Sequence, residues 1–331
     1  MKIFVTMPDD EIRESFIPES VRKRLDSIAE VEYNTTKQQL NSAELREKLR
    51  GMDAVITGWG TGMLDKSVLE GNDTLKLIAH TGGTVSTIVD DYAYDKGIKV
   101  LSGNDVYAES VAESILAYAL LGLRKIPYYL DVMRNNGWND GAHWEGLLDQ
   151  TVGFVSFGMI PKHLVEMLKP FRCKIKVYSS HIKDEELEKY GMERATLDEV
   201  FSECKVISIH SAYNEKTHHM INKRLLEMIS DGALLINTSR GGVIDEAALI
   251  EELKKERFTA VLDVYEQEPL PENYPLRNMV NVYAVPHMGG PTYDRRKYVT
   301  LALADDIEAF WAGEPVKHEI TRSYVSHMTK Q

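Results

Sequence analysis

Short apolar runs without polar alternation recur along this chain, and stretches with helical spacing lie between them. The runs cover residues 3–6, 54–57, 75–79, 152–157, 175–178, 206–210, 233–238, 259–264 and 280–284. A strand that is apolar on both faces must be covered on both faces. Strand and helix in alternation then require a parallel sheet joined by right-handed crossovers. Helical patterns fill residues 110–124, 245–256 and 294–311, and Thr196-Leu197-Asp198-Glu199 is a capping box that opens another helix before the run at 206. The fold class expected is α/β, and 331 residues suffice for two domains that each bury a core.

Charge narrows the function. Lys plus Arg is 39 against 51 Asp plus Glu, a net charge of −12, and no basic run is present. Phosphate backbones and anionic membranes need a basic face, so neither is expected as a partner. No run reaches the roughly 20 apolar residues of a membrane span, and the apolar run at the N-terminus is too short for a secretory signal. Cys173 and Cys204 lie in different segments, so two reduced thiols in a cytoplasmic protein are expected, not a disulfide framework or a metal cluster. His218-His219 is a dipeptide, not an i,i+4 pair, so no metal site is expected.

Residues 152–161 run from a strand into a helix through Ser156-Phe157-Gly158-Met159-Ile160-Pro161. A dinucleotide pyrophosphate binds at such a junction, on the amides of the helix start, with a G-x-G-x-x-G fingerprint. Gly158 keeps the position of close backbone approach, Ser156 replaces the turn glycine and Pro161 the packing glycine. By itself this fits a phosphate loop or an ordinary strand–helix turn equally well. The next strand ends in Ser179-Ser180-His181, with Lys183 close behind and no carboxylate for a ribose 2′-hydroxyl. Two hydroxyls, an imidazole and an ammonium suit a 2′-phosphate, so NADP(H) is expected to serve at least as well as NAD(H).

Three later segments are more specific. Arg240 follows the strand at 233–238 in Asn237-Thr238-Ser239-Arg240-Gly241-Gly242. Glu268 follows the next strand in Leu262-Asp263-Val264-Tyr265-Glu266-Gln267-Glu268-Pro269. His287 follows the last in Pro286-His287-Met288-Gly289. Strand ends on one side of a parallel sheet converge on the ligand crevice. Together with Val111-Ala112-Glu113 and Val152-Gly153, these motifs make the chain resemble the D-isomer-specific 2-hydroxyacid dehydrogenases over most of its length.

That resemblance implies two Rossmann- or flavodoxin-like doubly wound domains with a cleft between them. Residues 1–102 plus 289–331 would form the substrate domain and residues 103–288 the cofactor domain. It implies Arg240, Glu268 and His287 as the catalytic set. Chemistry agrees: reducing a 2-oxo acid needs a proton on the carbonyl oxygen, an imidazole titrates near neutral pH, a carboxylate can orient it, and a guanidinium grips a carboxylate with paired donors. Asp263 would lie near the nicotinamide carboxamide. His210, Ser211, Ala212, Thr217, Thr238, Ser239 and Gly289 would border the cofactor, with Ser156, Phe157, Gly158, Met159 and Ile160 at its phosphates and Ser179, Ser180 and His181 at its ribose.

The chain departs from the family in the loop that holds the substrate carboxylate. It reads His80-Thr81-Gly82-Gly83-Thr84-Val85-Ser86, which keeps Gly82 but changes the side chains that follow. The amides of Gly83 and Thr84 can still donate. Trp59 and Tyr107 are candidates to line the substrate site or to pack locally. Trp138 and Trp144 lie in a polar connection that in relatives crosses to a second subunit, where one could cap the partner's cleft or simply pack on the surface. The resemblance implies the apolar helix over 110–124 as a dimer element, so a homodimer is expected. The expected activity is NAD(P)-dependent interconversion of a small 2-oxo acid and its D-2-hydroxy acid. The alternative is a regulatory dinucleotide sensor on the same fold.

Overall fold

A computed structural model describes residues 1–139, 141, 143–325 and 328–329. The chain divides into two compact units, Met1–Tyr107 with Pro291–Gln331, and Ala108–Gly290. The first unit thus extends past residue 102 and takes in Tyr107, while Gly289 and Gly290 belong to the second. The boundaries at 102/103 and 288/289 read from the sequence move accordingly.

The first unit holds five parallel strands: β1 (Lys2–Val5), β2 (Glu30–Tyr33), β3 (Ala54–Thr57), β4 (Leu77–His80) and β5 (Lys99–Ser102). Their order is β2-β1-β3-β4-β5. The second holds seven: β6 (Thr151–Val155), β7 (Lys174–Tyr178), β8 (Met192–Arg194), β9 (Val206–Ile209), β10 (Leu234–Asn237), β11 (Thr259–Leu262) and β12 (Val282–Ala284). All pair in parallel, in the order β12-β11-β10-β9-β6-β7-β8. In this unit the winding reverses between β6 and β9, and a doubly wound sheet opens a crevice beyond the strand C-termini at that reversal.

Burial explains the windings. β3, β4, β9 and β10 are buried at every position, as strands covered on both faces must be. Phe4 and Phe154 are fully buried, one in each sheet. Each such side chain contributes roughly 2–3 kcal/mol on burial. The strands absent from the sequence reading, β2, β5 and β8, all lie at sheet edges. β2 alternates charge with apolar residues, and β8 is three residues long with Glu193 and Arg194 exposed.

The helix expected over 110–124 begins earlier, at Asn104, and runs to Leu123. It is long and apolar enough to cross a membrane by composition. In this structure its Ala112, Ile115, Ala119 and Leu123 are buried in the core cluster that contains Phe154.

Candidate active site

Arg240, Glu268 and His287 follow β10, β11 and β12, three neighbouring parallel strands. Each turn is fixed locally. The buried Asn237 side chain accepts from Ser239 N at 3.0 Å and donates to Arg240 O at 3.1 Å, which closes the turn that presents Arg240. Gly241 is obligatory there: a Cβ would stand 1.9 Å from the carbonyl carbon of Tyr265. The turns after β10 and β11 therefore touch backbone to backbone.

Glu268 accepts the Tyr265 backbone N–H on Oε1 at 3.0 Å and lies 2.6 Å from His287 Nδ1 through Oε2. The His287 imidazole is 47% exposed, so its far edge is open. His287 itself sits at φ 50, in the left-handed region. That conformation is costly for a residue with a Cβ and concentrates at functional sites. Arg240 is half-buried, and its Nε is shielded without an acceptor while Nη1 donates to Ser239 O at 2.7 Å. Burial pulls its guanidinium below the usual arginine range, and the nearby Glu268 carboxylate opposes that.

Asp263 is buried and accepts the backbone N–H groups of Met288 and Gly289 at 2.7 and 2.9 Å. Burial nonetheless holds its carboxyl above the ordinary value. Asp263 thus anchors the chain that follows His287. Tyr265, which the sequence reading passed over, acts in the same way. Its hydroxyl donates within reach of Leu262 O at 2.8 Å and Val285 O at 2.9 Å, tying the ends of β11 and β12 together. Nothing in the order of residues distinguishes this tyrosine from a core aromatic.

The turn after β6 fits a dinucleotide. Ser156 takes φ 76, the conformation for which a glycine is usual, and its Oγ lies 2.7 Å from the buried Ser211 Oγ beyond β9. Gly158 is the N-cap of the helix Met159–Leu168, which has no side-chain cap, and a Cβ at Gly158 would meet nothing within 4 Å. Open space beside an uncapped helix N-terminus suits a pyrophosphate. Across the crevice, Thr238 Oγ1 is buried without a hydrogen-bond partner, as a group awaiting a ligand would be.

Other residues are placed differently. The Phe157 and Ile160 side chains pack on the apolar core, so only their backbone faces the turn. The Thr217 hydroxyl is spent in its own loop, donating to Ala212 O at 2.6 Å and accepting from Asn214 N at 2.9 Å. Neither ring nitrogen of His210 has a partner, burial pushes the imidazole down to about 3, and the ring meets Phe154 edge to face at 5.3 Å. Ser179 is half-buried, with Ser180 and His181 exposed. They follow β7, whose Tyr178 O accepts the Ser156 N–H at 2.7 Å, so the two turns are neighbours.

In the first unit, the Ser102 hydroxyl lies 3.0 Å from Gly82 O and 2.7 Å from Gly83 O. Across a trans peptide the N–H points opposite to the carbonyl. Drawing those carbonyls inward turns the N–H groups of Gly83 and Thr84 outward, and among the described residues neither has an acceptor. Ser102 was not singled out from the sequence. Trp59 and Tyr107 meet edge to face at 6.3 Å beside this loop.

Comparison with known proteins decides the family. A model described as the NAD binding domain of D-isomer specific 2-hydroxyacid dehydrogenases matches residues 116–289. The chain belongs to that family. It is 32% identical over 322 residues to a glyoxylate reductase of Thermococcus litoralis, covering 95% of this chain and 94% of the relative. It is also 32% identical over 320 residues to a D-3-phosphoglycerate dehydrogenase of Methanocaldococcus jannaschii, covering 95% of this chain, but it spans only 58% of that relative's length. Among solved structures, a D-lactate dehydrogenase with NAD+ from Lactobacillus jensenii superposes with a TM-score of 0.82, at 24% identity over 97% of this chain and all of that one. Dehydrogenases of this family are oxidoreductases acting on CH–OH groups with a nicotinamide dinucleotide, and the second unit is its binding domain.

Proposed function

We propose that this chain reduces a small 2-oxo acid to the D-2-hydroxy acid, with His287 as the proton donor. The observation that carries the reading is the 2.6 Å contact between His287 Nδ1 and Glu268 Oε2 on adjacent strand ends. When bound, a reduced nicotinamide supplies a hydride to the 2-carbonyl carbon. Because Nδ1 faces the carboxylate, Nε2 is left to deliver the proton to the carbonyl oxygen, and in oxidation to take it back. Arg240 binds the acid through its remaining N–H groups, and its low hydration at a half-buried site strengthens that contact. In the first unit, the outward N–H groups of Gly83 and Thr84 are donors that suit a carboxylate.

This assignment favours an enzyme over a dinucleotide sensor, since a sensor has no use for an oriented proton donor. Absorbance of the reduced nicotinamide, followed with a panel of 2-oxo acids and both cofactors, tests it. Turnover by the parent that falls about 10²- to 10⁴-fold in His287→Ala supports the reading. Cofactor binding without turnover of any acid rejects it in favour of the sensor.

Two finer points extend the proposal. Ser179, Ser180 and His181 follow β7, the second strand of the fold, after which a carboxylate usually serves the ribose 2′-hydroxyl; that none of them is acidic supports use of NADP(H) at least as well as NAD(H). Ile126, Leu130, Met133, Trp138, Trp144 and Leu148 are exposed. So much apolar surface in one sequence neighbourhood supports a homodimer that covers it.

A further inference from the structure

Arg296 opens the long helix Arg296–Ala312 in the first unit. Its guanidinium carbon lies 5.1 Å from the Trp59 ring centre, 5.6 Å from Phe16 and 5.8 Å from Tyr293. Nε donates to Pro291 O at 3.3 Å and Nη1 to Ser15 Oγ at 3.2 Å. A guanidinium has five N–H groups, so three remain, one on Nη1 and two on Nη2. Nη1 and Nη2 together can meet a carboxylate end-on with paired donors. No carboxylate among the described residues pairs with Arg296. A half-buried cation held by rings but lacking a counter-charge is unusual, because desolvation is only partly offset by ring faces.

The rings lead back to the glycine loop. Trp59 packs on Phe16 at 5.1 Å and on Tyr107 at 6.3 Å, and Tyr107 Cδ1 is 4.0 Å from where a Cβ on Gly83 would be. One aromatic wall therefore runs from the outward amides of Gly83 and Thr84 to Arg296, all within one unit. Trp59 and Tyr293 are exposed, so the wall has an open side.

We propose that Arg296 is a specificity residue that binds a second carboxylate, making the preferred substrate a 2-oxo dicarboxylic acid. The inference rests on the activity proposed above. One acid group meets the amides at Gly83 and Thr84, the carbon chain lies along the aromatic wall, and the distal carboxylate meets Nη1 and Nη2 of Arg296. Charge count selects a carboxylate over a phosphate. Arg13, the neighbouring buried arginine, is already paired with Asp9 and donates to Asn34 O at 2.6 Å. The one guanidinium of Arg296 balances one negative charge and not a phosphate dianion.

The test is binding to the full chain in the presence of NADP+, read by tryptophan fluorescence, with D-malate, D-2-hydroxyglutarate, D-lactate and D-3-phosphoglycerate. The parent is expected to bind one of the two dicarboxylates at least about tenfold more tightly than D-lactate, a margin of the size one charged pair supplies. Arg296→Met should shrink that margin to about twofold, and Arg296→Lys should restore part of it. The ratio of kcat/KM for oxaloacetate over pyruvate should follow the same order. A parent that shows no margin, a margin that survives in a folded Arg296→Met chain, or a preference for D-3-phosphoglycerate overturns the assignment. Should Arg296→Met fail to fold, the loss of margin is read from Arg296→Gln by the same criteria, and from the parent's own ligand ranking. If no acid is reduced with either cofactor, the dehydrogenase reading fails, while the binding margin still decides the role of Arg296.

Discussion

Glu268 holds His287 with one carboxylate oxygen and the Tyr265 backbone with the other, at 2.6 and 3.0 Å. The imidazole is thereby oriented by a group that is itself fixed to the end of β11. Glu268→Gln keeps the size of the side chain but replaces an acceptor with a mixed amide. Turnover should fall on the order of 10²-fold, the cost of misplacing a reacting group slightly. KM should change far less. Steady-state kinetics with the best 2-oxo acid checks this, and an unchanged kcat would remove Glu268 from the mechanism.

Gly241→Ala should destabilise the second unit by roughly 1–3 kcal/mol or more, since the added methyl meets backbone and not a movable side chain. Urea unfolding midpoints of the parent and variant measure it. Gly158→Ala, by contrast, adds a methyl into open space. It should leave stability within about 0.5 kcal/mol while weakening dinucleotide binding.

His80 is buried beneath the glycine loop, with Nδ1 2.9 Å from Thr57 Oγ1, and burial pushes its imidazole down to about 4 from an ordinary value of 6.5. The unfolded chain binds this proton more readily than the folded one. The stability tied to a neutral His80 is therefore complete above about pH 6.5 and is lost as the pH falls toward 4. Between pH 7 and 5 the loss is about 2 kcal/mol. His80→Asn should flatten this limb, seen as a smaller difference between unfolding free energies at the two pH values. His210, pushed down to about 3, acts in the same direction.

Ser179→Asp places a carboxylate at the turn after β7. It should repel a 2′-phosphate and accept a 2′-hydroxyl, shifting the ratio of NADPH to NADH dissociation constants by about tenfold or more toward NADH. Calorimetric titration of both reduced cofactors reads the ratio directly. A ratio that does not move would place the ribose elsewhere.

Leu130→Glu sets a charge in the middle of the exposed apolar segment. If that surface is the dimer contact, light scattering should give a dimer for the parent and a monomer for the variant. A monomeric parent would refute the homodimer.

Much of this was legible in the residues themselves. Strands β9, β10 and β11 are mostly apolar and show no polar alternation because they are buried on both faces, and that pattern is local. Arg240, Glu268 and His287 could be read because each sits just past such a strand. The edge strands β2, β5 and β8 could not, since an edge tolerates charge and short length. Tyr265, Ser102 and Arg296 were missed for another reason. Their roles depend on partners distant in sequence: Val285 for the tyrosine, the Gly82–Gly83 carbonyls for the serine, Phe16 and Trp59 for the arginine. Conversely, Thr217 looks like a ligand contact in sequence, yet its hydroxyl is consumed by its own loop.

The missing Cβ at Gly241 lets two turns share one contact surface, so the arginine and the glutamate are not independent modules. Transplanting residues 238–243 from a relative without residues 263–268 would mismatch backbones, not side chains. Anyone re-engineering this protein for another acid must exchange the two turns as a matched pair, or leave both alone and vary the aromatic wall instead.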